Sequence, residues 1–453
     1  MNIAIVGLGK FGKELTEYLS NENHNIVVID NKPSVIEEVV NQNDVMGYVG
    51  NGASYQTLLN ASVAKFDLLI ATTSFDETNM LCCLVAKKLG IKQTIARIRN
   101  PEYARQVQIM SEELGITVTL NPDLDTAREI FRILRFPSAI KVETFANGKV
   151  DLVELKVTKD SLLNNISLMD IKNKYQVRML VCAVEREDQV FIPKGDFILK
   201  ENDYVYIAAD TKEISKAFKK LKLFKNKLSS SLIIGGGKIT AYLASLLLDN
   251  GISVKIVDKD TQACKIISEI LPNAIVINGD ATNQKLLLEE GLESVDSVIT
   301  LTGMDETNII VSSFAKNSGC EKVITKVNNT NYHLILKNVG LDSILSPKDI
   351  FASNIIRYVR GIENKNTRGS EFKTLYRLVN NRVEALEFSI PKATKFTSIE
   401  LKDLKFKPNI LLACIIRNNK VIIPSGKDTL EPLDSVVIVT TNTTIKDISD
   451  ILE

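Results

Sequence analysis

The sequence predicts an α/β protein built twice over, as two doubly wound parallel-sheet domains, each followed by a small α+β domain. Three observations carry this. First, segments return at an offset of about half the chain. Ala71-Thr72-Thr73-Ser74-Phe75-Asp76-Glu77-Thr78-Asn79 returns as Thr300-Leu301-Thr302-Gly303-Met304-Asp305-Glu306-Thr307-Asn308. Gly7-Leu8-Gly9-Lys10 returns as Gly235-Gly236-Gly237-Lys238, and Ile192-Pro193-Lys194-Gly195 as Ile423-Pro424-Ser425-Gly426. Second, short apolar runs alternate with helical periodicity in each half, the pattern of a parallel sheet covered by helices. Third, 453 residues exceed a single core and divide readily into domains of ordinary size.

The elements follow in order. Ile3 to Val6 is a buried strand, and Phe11, Leu15 and Leu19 form the apolar stripe of the next helix. Strands follow at 26–30, 45–49, 68–71, 94–98 and 116–119, with a helix over 77–89 that closes on Gly90. A helix over 123–135 ends the first large domain, placed at 1–138. A hairpin then turns at Asn147-Gly148, and strand-like runs at 177–185 and 204–208 complete a small domain at 139–222. The basic run from Lys219 to Lys227, leading into Ser229-Ser230-Ser231, reads as a solvated linker, bounded at 223–230; a contact to lipid or a partner is the alternative. The second copy repeats the order, with a large domain at 231–362 and a small one at 363–453 whose hairpin turns at Asn380-Asn381. A polar stretch, 361–370, lies between them.

Bulk composition excludes several classes. With 56 basic and 55 acidic residues the net charge is +1, so no global field recruits nucleic acid. The six cysteines form no Cys-x-x-Cys pair and there are two histidines, so a zinc site is not expected. The N-terminus enters a strand directly, without the pattern of a signal peptide, and no apolar run is long enough to span a bilayer. Action at a membrane therefore calls for a partner.

The chemistry-bearing residues lie at strand ends. Gly7, Gly9 and Gly12 follow a strand and open a helix. They suit a tight turn, close approach of backbone to a pyrophosphate, and close helix–strand packing in a Rossmann-like domain. Lys10 and Phe11 lie in the same loop, where the helix N-terminus offers free amides to an anion. Asp30 ends the second strand, where a carboxylate accepts ribose hydroxyls and repels a 2′-phosphate, favouring NAD(H) or ATP over NADP(H). Asn51 is placed to contact adenine or ribose, and Thr72 and Thr73 to flank the far half of a dinucleotide. Arg97 and Arg99 can reach phosphate or a neighbouring subunit, or form surface ion pairs. Asp76 and Asp305 are expected to cap the helices that follow them, through the backbone amides of Asn79 and Asn308.

The second copy offers Gly235, Gly237, Lys238, Ile239, Asp258, Asp280, Ala281, Leu301 and Thr302 at the matching places. Thr240 replaces the third glycine. A side chain there is expected to push helix and strand apart, leaving either a site for another nucleotide or a vestigial one. Lys326 and Asn328 stand where the first copy has its arginines. No acid or base suited to hydride chemistry is evident; His24 lies in a turn and His333 has no counterpart, so no catalytic residue is assigned.

These residues, with Ala96-Arg97-Ile98-Arg99-Asn100-Pro101-Glu102-Tyr103 and Arg135-Phe136-Pro137, give a sequence that resembles the TrkA family of Trk-system potassium uptake regulators, tandem repeats of RCK (KTN) N-terminal and C-terminal domains. The resemblance covers nearly the whole chain. It implies a non-enzymatic, cytoplasmic regulatory subunit peripheral to the inner face of the cell membrane. It also implies a homotetrameric ring beneath a TrkH-like potassium-translocating subunit, with NAD(H) and ATP or ADP as ligands of the N-domains. Thr240, Asn51 and Asn328 depart from the family pattern. On this reading the helices near 123–135 and 347–360 pair the lobes. The competing readings are an NAD-dependent oxidoreductase with a duplicated domain, and a divalent-cation or cyclic-dinucleotide sensor acting through the small domains.

Overall fold

A computed structural model describes residues 1–22, 24–136, 138–145, 148–223, 228–329, 332, 336, 338–365, 371–379, 382–390, 394, 396–442, 445 and 447–452. The first sheet comprises β1 (Asn2–Val6), β2 (Asn25–Asp30), β3 (Met46–Val49), β4 (Leu68–Ala71), β5 (Gln93–Arg97) and β6 (Val118–Leu120), in the order β3-β2-β1-β4-β5-β6. Every neighbouring pair is parallel. The order reverses at β1, between β2 and β4, which creates the crevice at the C-terminal strand ends where such sheets take ligands. Helices α1 (Lys10–Ser20), α2 (Pro33–Gln42), α3 (Tyr55–Asn60), α4 (Asp76–Lys88) and α5 (Pro101–Ile109) provide the crossovers, and α6 (Pro122–Leu134) leads out of the sheet after β6. Gly90, expected to close the fourth helix, follows the Leu89 C-cap at φ +99°, a conformation natural to glycine.

The first small domain adds β7 (Ala139–Phe145), β8 (Val150–Lys156), β9 (Ile166–Ser167), α7 (Leu168–Tyr175), β10 (Leu180–Arg186), β11 (Gln189–Phe191), β12 (Ile198–Leu199), β13 (Tyr204–Asp210) and α8 (Ile214–Lys220). Its main sheet is antiparallel, ordered β11-β10-β13-β8-β7. The strand expected from 177 starts at Leu180. Gly148 takes φ +88° in the first hairpin, while Ala146 and Asn147 lie outside the described residues.

The second half runs β14 (Ser230–Ile234), α9 (Lys238–Asp249), β15 (Ser253–Asp258), α10 (Thr261–Ile270), β16 (Ile275–Asn278), α11 (Gln284–Glu289), β17 (Ser297–Thr300), α12 (Asp305–Asn317), β18 (Lys322–Lys326), β19 (Ser343–Leu345), α13 (Pro347–Lys365), β20 (Glu371–Leu378), β21 (Val383–Ser389), β22 (Ile410–Arg417), β23 (Lys420–Ile422) and β24 (Ser435–Thr440). Its parallel sheet, β16-β15-β14-β17-β18-β19, and its antiparallel sheet, β20-β21-β24-β22-β23, reproduce the first half strand for strand. The stretch read as a linker is narrower than its composition suggests. Lys219 and Lys220 belong to α8, and Ser230 and Ser231 open β14, where Asp296 Oδ2 accepts both the Ser229 and Ser230 amides at 2.7 and 2.9 Å. Residues 224–227 lie outside the described residues, as do 366–370 of the polar stretch, Asn380-Asn381 and His333; α13 runs through the start of that stretch to Lys365.

The halves exchange helices. The apolar stripe of α6 (Ala127, Ile130, Ile133 and Leu134) is buried with Leu243 and Leu247 of α9, in the second lobe's core. Conversely Phe351, Ile355, Ile356 and Val359 of α13 are buried with Leu15 and Leu19 of α1, in the first lobe's core. Fully burying one such aliphatic side chain is worth about 1.5–3 kcal/mol, so each lobe depends on the other half for part of its core. The two small sheets also pack on each other, burying Phe145, Leu152, Cys182 and Tyr206 with Val383, Ala385, Cys414 and Val439.

Candidate functional site

The first crevice is built by a turn that only glycine accommodates. Gly7 sits at φ +88°, and a Cβ there would come within 2.7 Å of the Thr73 amide nitrogen. A Cβ on Gly12 would lie 2.0 Å from the Gly7 carbonyl oxygen, so α1 can start this close to β1 only with glycine. Around Gly9, by contrast, a Cβ would meet no atom within 4 Å: this is the open face of the loop. Gly9 is the N-cap of α1, and no side chain caps the helix, whose first turn carries no acidic residue. The amides there are directed at a space suited to an anion.

Asp30 fastens this loop. Its Oδ2 accepts the Leu8 amide at 2.7 Å and its Oδ1 the Lys32 amide at 3.0 Å. A carboxylate oxygen has lone pairs for a second donor, so Asp30 can hold the turn and still accept a ribose hydroxyl. Thr72 is buried, and its hydroxyl donates to the Gly7 carbonyl at 2.7 Å. Thr73 is fixed by Asn79, whose Oδ1 accepts both the Thr73 amide and hydroxyl at 2.8 Å. The Asn79 amide group then donates to the Arg97 carbonyl at 2.9 Å. Asn51 is exposed, with Oδ1 accepting the Ala53 amide at 3.0 Å; Lys10 is exposed at the rim.

Arg97 is not a surface residue. It is 7% exposed, donates from Nη1 to the Thr73 carbonyl at 3.1 Å, and lies with Cζ 4.5 Å from the centre of the Phe11 ring. Its Nε finds no hydrogen-bond partner among the described residues. Burial, reinforced by the nearby Arg99 guanidinium, lowers its pKa to about 10. Arg99 forms the ion pair instead, Nε to Asp123 Oδ2 at 2.6 Å. Asp76 does not cap its own helix: its Oδ2 accepts the Arg99 and Asn100 amides at 2.9 and 2.8 Å, and Asp305 does the same for Asn328 and Asn329 at 2.8 and 2.9 Å. The helix N-caps are Phe75 and Met304, without side-chain caps. These aspartates hold the loop after the fifth strand against the fourth.

The second crevice has the same frame. Gly235 takes φ +104°, Gly237 is open on its outer face, and Lys238 is exposed. Asp258 accepts the Gly236 amide at 2.5 Å and the Asp260 amide at 2.7 Å. Asn308 receives the Thr302 amide and hydroxyl at 2.9 and 2.8 Å. Thr240 does more than displace. Its buried hydroxyl donates to the Gly235 carbonyl at 2.5 Å, which is the bond that Thr72 makes in the first lobe, and Leu301 stands where Thr72 would be. The hydroxyl has moved from strand end to helix. Since a Cβ cannot sit 2.0 Å from a carbonyl, α9 must start farther from its turn than α1 does, and the hydroxyl closes the gap. Asp280 accepts the Thr282 amide and hydroxyl at 2.9 and 2.8 Å, the amide first in holding its carboxyl below the ordinary range. Ala281, Leu301 and Ile239 are buried. Lys326 is buried with Nζ 3.3 Å from the Leu301 carbonyl, and burial lowers its pKa.

Each crevice touches the other half. Phe11 also meets Phe351 of α13 edge-on, centroids 5.2 Å apart, so it lies between Arg97 and the second half's long helix. Tyr242 of α9 donates to the Arg99 carbonyl at 3.1 Å and meets Asn121 Nδ2 at the same distance. Sequence reading missed Asn79, Asn308, Phe351 and Tyr242. The first two stood in the repeated Asp-Glu-Thr-Asn motif; the last two carry no local signal.

Two dinucleotide-type lobes, each followed by a small antiparallel domain and joined by exchanged helices, define a tandem, duplicated two-lobed architecture. The TrkA-N domain model matches residues 3–122 and 231–347, and the TrkA-C domain model residues 152–222 and 385–453. The chain belongs to the TrkA family. It is 32% identical over 449 residues to the Trk system potassium uptake protein TrkA homolog 1 of Methanosarcina mazei, covering 97% of both chains. It is 30% identical over 446 residues to Trk system potassium uptake protein TrkA of Vibrio alginolyticus, covering 98% of this chain and 96% of that one. Among solved structures, the GsuK channel bound to NAD shares the fold at a TM-score of 0.64 and 17% identity, over 99% of this chain and 78% of that one.

Proposed function

We propose that this chain is a cytoplasmic nucleotide-sensing subunit that regulates potassium uptake through a TrkH-like membrane partner, with NAD(H) and ATP or ADP as its ligands. The observation that carries the reading is the repeated crevice: a glycine turn, an uncapped helix N-terminus and a strand-end aspartate, present in both lobes. The pyrophosphate rests on the loop amides of Gly9 to Gly12, and Asp30 accepts the ribose hydroxyls. Arg97, buried against the Phe11 ring, brings a guanidinium charge toward a phosphate placed deeper in the cleft. Gly237 to Thr240 and Asp258 serve the second ligand. The relatives are named for potassium uptake, and the GsuK channel of the same fold is bound to NAD.

Ligands bias the assembly by binding its two shapes unequally. Phe11 against Phe351 and Tyr242 against Asn121 give each crevice a contact in the other half, so a rearranged loop is felt across the chain. The ring itself, taken as a homotetramer at the inner face of the membrane, is supported by apolar residues exposed at equivalent places in the two lobes: Phe75 at the N-cap and Leu81 within α4, Met304 at the N-cap and Ile310 within α12. Among the described residues no helix is long and apolar enough to cross a membrane. The test pairs Asp30→Ala with potassium flux in vesicles carrying the membrane subunit. The variant is expected to lose NADH binding at the first lobe and the NADH response of the flux; undiminished binding with an intact response sinks the proposal.

A further inference from the structure

The loop that follows the third strand of each large sheet is held alike in the two lobes and differs at one terminal atom. After β3 the Gly50 amide donates to the Asp30 carbonyl at 2.9 Å, and after β16 the Gly279 amide donates to the Asp258 carbonyl at 2.9 Å. Each loop is thus fastened to its strand-end aspartate. The next residue accepts the amide two positions on: Asn51 Oδ1 from Ala53 at 3.0 Å, Asp280 Oδ1 from Thr282 at 2.9 Å. Its own carbonyl accepts the amide three positions on, from Ser54 at 2.9 Å and from Asn283 at 3.0 Å. Both residues are exposed. A backbone N–H must meet oxygen, so the Ala53 contact fixes the Asn51 carboxamide with Nδ2 on its other side. In the second lobe the atom at that place is Asp280 Oδ2, because the Thr282 hydroxyl also goes to Oδ1, at 2.8 Å. Among the described residues neither Asn51 Nδ2 nor Asp280 Oδ2 has a hydrogen-bond partner.

We propose that this atom sets the choice of base: Asp280 makes the second lobe select a nucleotide whose base carries an exocyclic amine, as adenine does, and Asn51 lets the first lobe also admit a base with a carbonyl in that place. The inference rests on the nucleotide reading of both crevices and adds the base that each prefers. A ribose whose hydroxyls bond to Asp30 or Asp258 carries its base on the adjoining carbon, within reach of the loop that the same aspartate's carbonyl holds. An ionised carboxylate only accepts, so Asp280 Oδ2 can take an amine N–H and repels a carbonyl oxygen. The Thr282 amide and hydroxyl, with the Lys259 charge nearby, keep that carboxyl ionised, and Lys259 forms no ion pair with it among the described residues. A carboxamide nitrogen only donates, so Asn51 Nδ2 can meet a carbonyl oxygen or a ring nitrogen of adenine. A site that bonds a ligand's donor rejects the near-isostere lacking it, because the site's own polar atom is then left facing another acceptor.

The experiment is calorimetric titration of the full chain with two ligand pairs in which hypoxanthine replaces adenine, and so a carbonyl replaces the amine: ATP against ITP, and NADH against its deamino form. Asp30→Ala leaves the second lobe to be read by itself, and Asp258→Ala the first. In Asp30→Ala the amine ligand is expected to bind about tenfold more tightly than its carbonyl counterpart, and in Asp258→Ala the two are expected to agree within about twofold. Adding Asp280→Asn to Asp30→Ala is expected to remove the preference, and adding Asn51→Asp to Asp258→Ala to create one. If either background fails to fold by circular dichroism, Asp280→Asn and Asn51→Asp in the otherwise unaltered chain carry the test, and are expected to shift the ratio of ATP to ITP affinity in opposite directions. Equal affinity for amine and carbonyl ligands at the second lobe, or a preference that survives Asp280→Asn, overturns the inference while the nucleotide reading stands. No binding of any of these ligands to the unaltered chain overturns both.

Discussion

The two lobes solve one packing problem in two ways. In the first, glycine at position 12 lets α1 press on the turn, and Thr72 satisfies the Gly7 carbonyl from the strand end. In the second, Thr240 satisfies the Gly235 carbonyl from the helix, and the strand end is left to Leu301. A glycine fingerprint is therefore one realisation of a geometric need, a turn carbonyl with a donor and a helix start that clears it. The missing third glycine is a compensated exchange, and the Asp258 contacts to the turn persist beside it.

Swapping the two solutions is the strongest way to break this comparison. Gly12→Ala places a Cβ 2.0 Å from a backbone carbonyl and is expected to cost about 1–3 kcal/mol, as overpacking does, and to abolish nucleotide binding in the first lobe. The double variant Gly12→Thr with Thr72→Leu, which installs the second lobe's arrangement, is expected to be more stable than Gly12→Thr alone in urea unfolding. A double variant no better than the single one would contradict the exchange. Next in size, Asp30→Ala and Asp258→Ala each remove a carboxylate that fastens its loop. Each is expected to weaken nucleotide affinity at its own lobe by about 1.5–3 kcal/mol, leaving the other unchanged in a direct titration.

Asn79→Ala and Asn308→Ala probe where the lobes agree. Their hydrogen bonds match nearly atom for atom, so each loss is expected to cost about 1–3 kcal/mol, alike in the two, and a marked inequality would show that one strand end is held by something else. The smallest effects come from titration between the halves. Burial, with Glu143 nearby, raises the Glu129 carboxyl to about 7, so its contribution is full below its ordinary value near 4.5 and is lost as pH rises through 7. Burial lowers Lys322 to about 7, so its contribution is full above its ordinary value near 10.5 and is lost as pH falls through 7. The two oppose each other. Between pH 6 and 8, Glu129→Gln is expected to make stability rise more steeply with pH and Lys322→Met less steeply, each by about 1 kcal/mol. Identical slopes in wild type and both variants would mean that neither group titrates there.

The parallel sheets, the glycine turns and the strand-end aspartates were legible because each leaves a local mark: an apolar run, a turn residue, a fixed spacing. The pairing of the lobes through the helices near 123–135 and 347–360 was legible too, though not that each helix completes the other lobe's core, since an amphipathic stripe does not name its partner. Asp76 reads as a helix cap because capping is the local use of an aspartate before a helix. Its actual partners, the Arg99 and Asn100 amides, lie across the sheet. Arg97 reads as a phosphate or subunit contact and equally as a surface ion pair, and its burial under Phe11, set by α1 and α13, leaves no local mark. The hydroxyl exchange joins positions far apart in sequence, and only folded geometry shows that Thr240 and Thr72 do the same work.

The central claim is that both lobes bind nucleotide. Calorimetric titration of the full chain with NADH and, separately, ATP, read for the number of ligands per chain, tests it most directly. The account predicts two sites per chain over the two ligands, with Asp30→Ala and Asp258→Ala each removing one. A single site, lost in Asp30→Ala and untouched by Asp258→Ala, would contradict it and leave the second lobe a structural partner of the first.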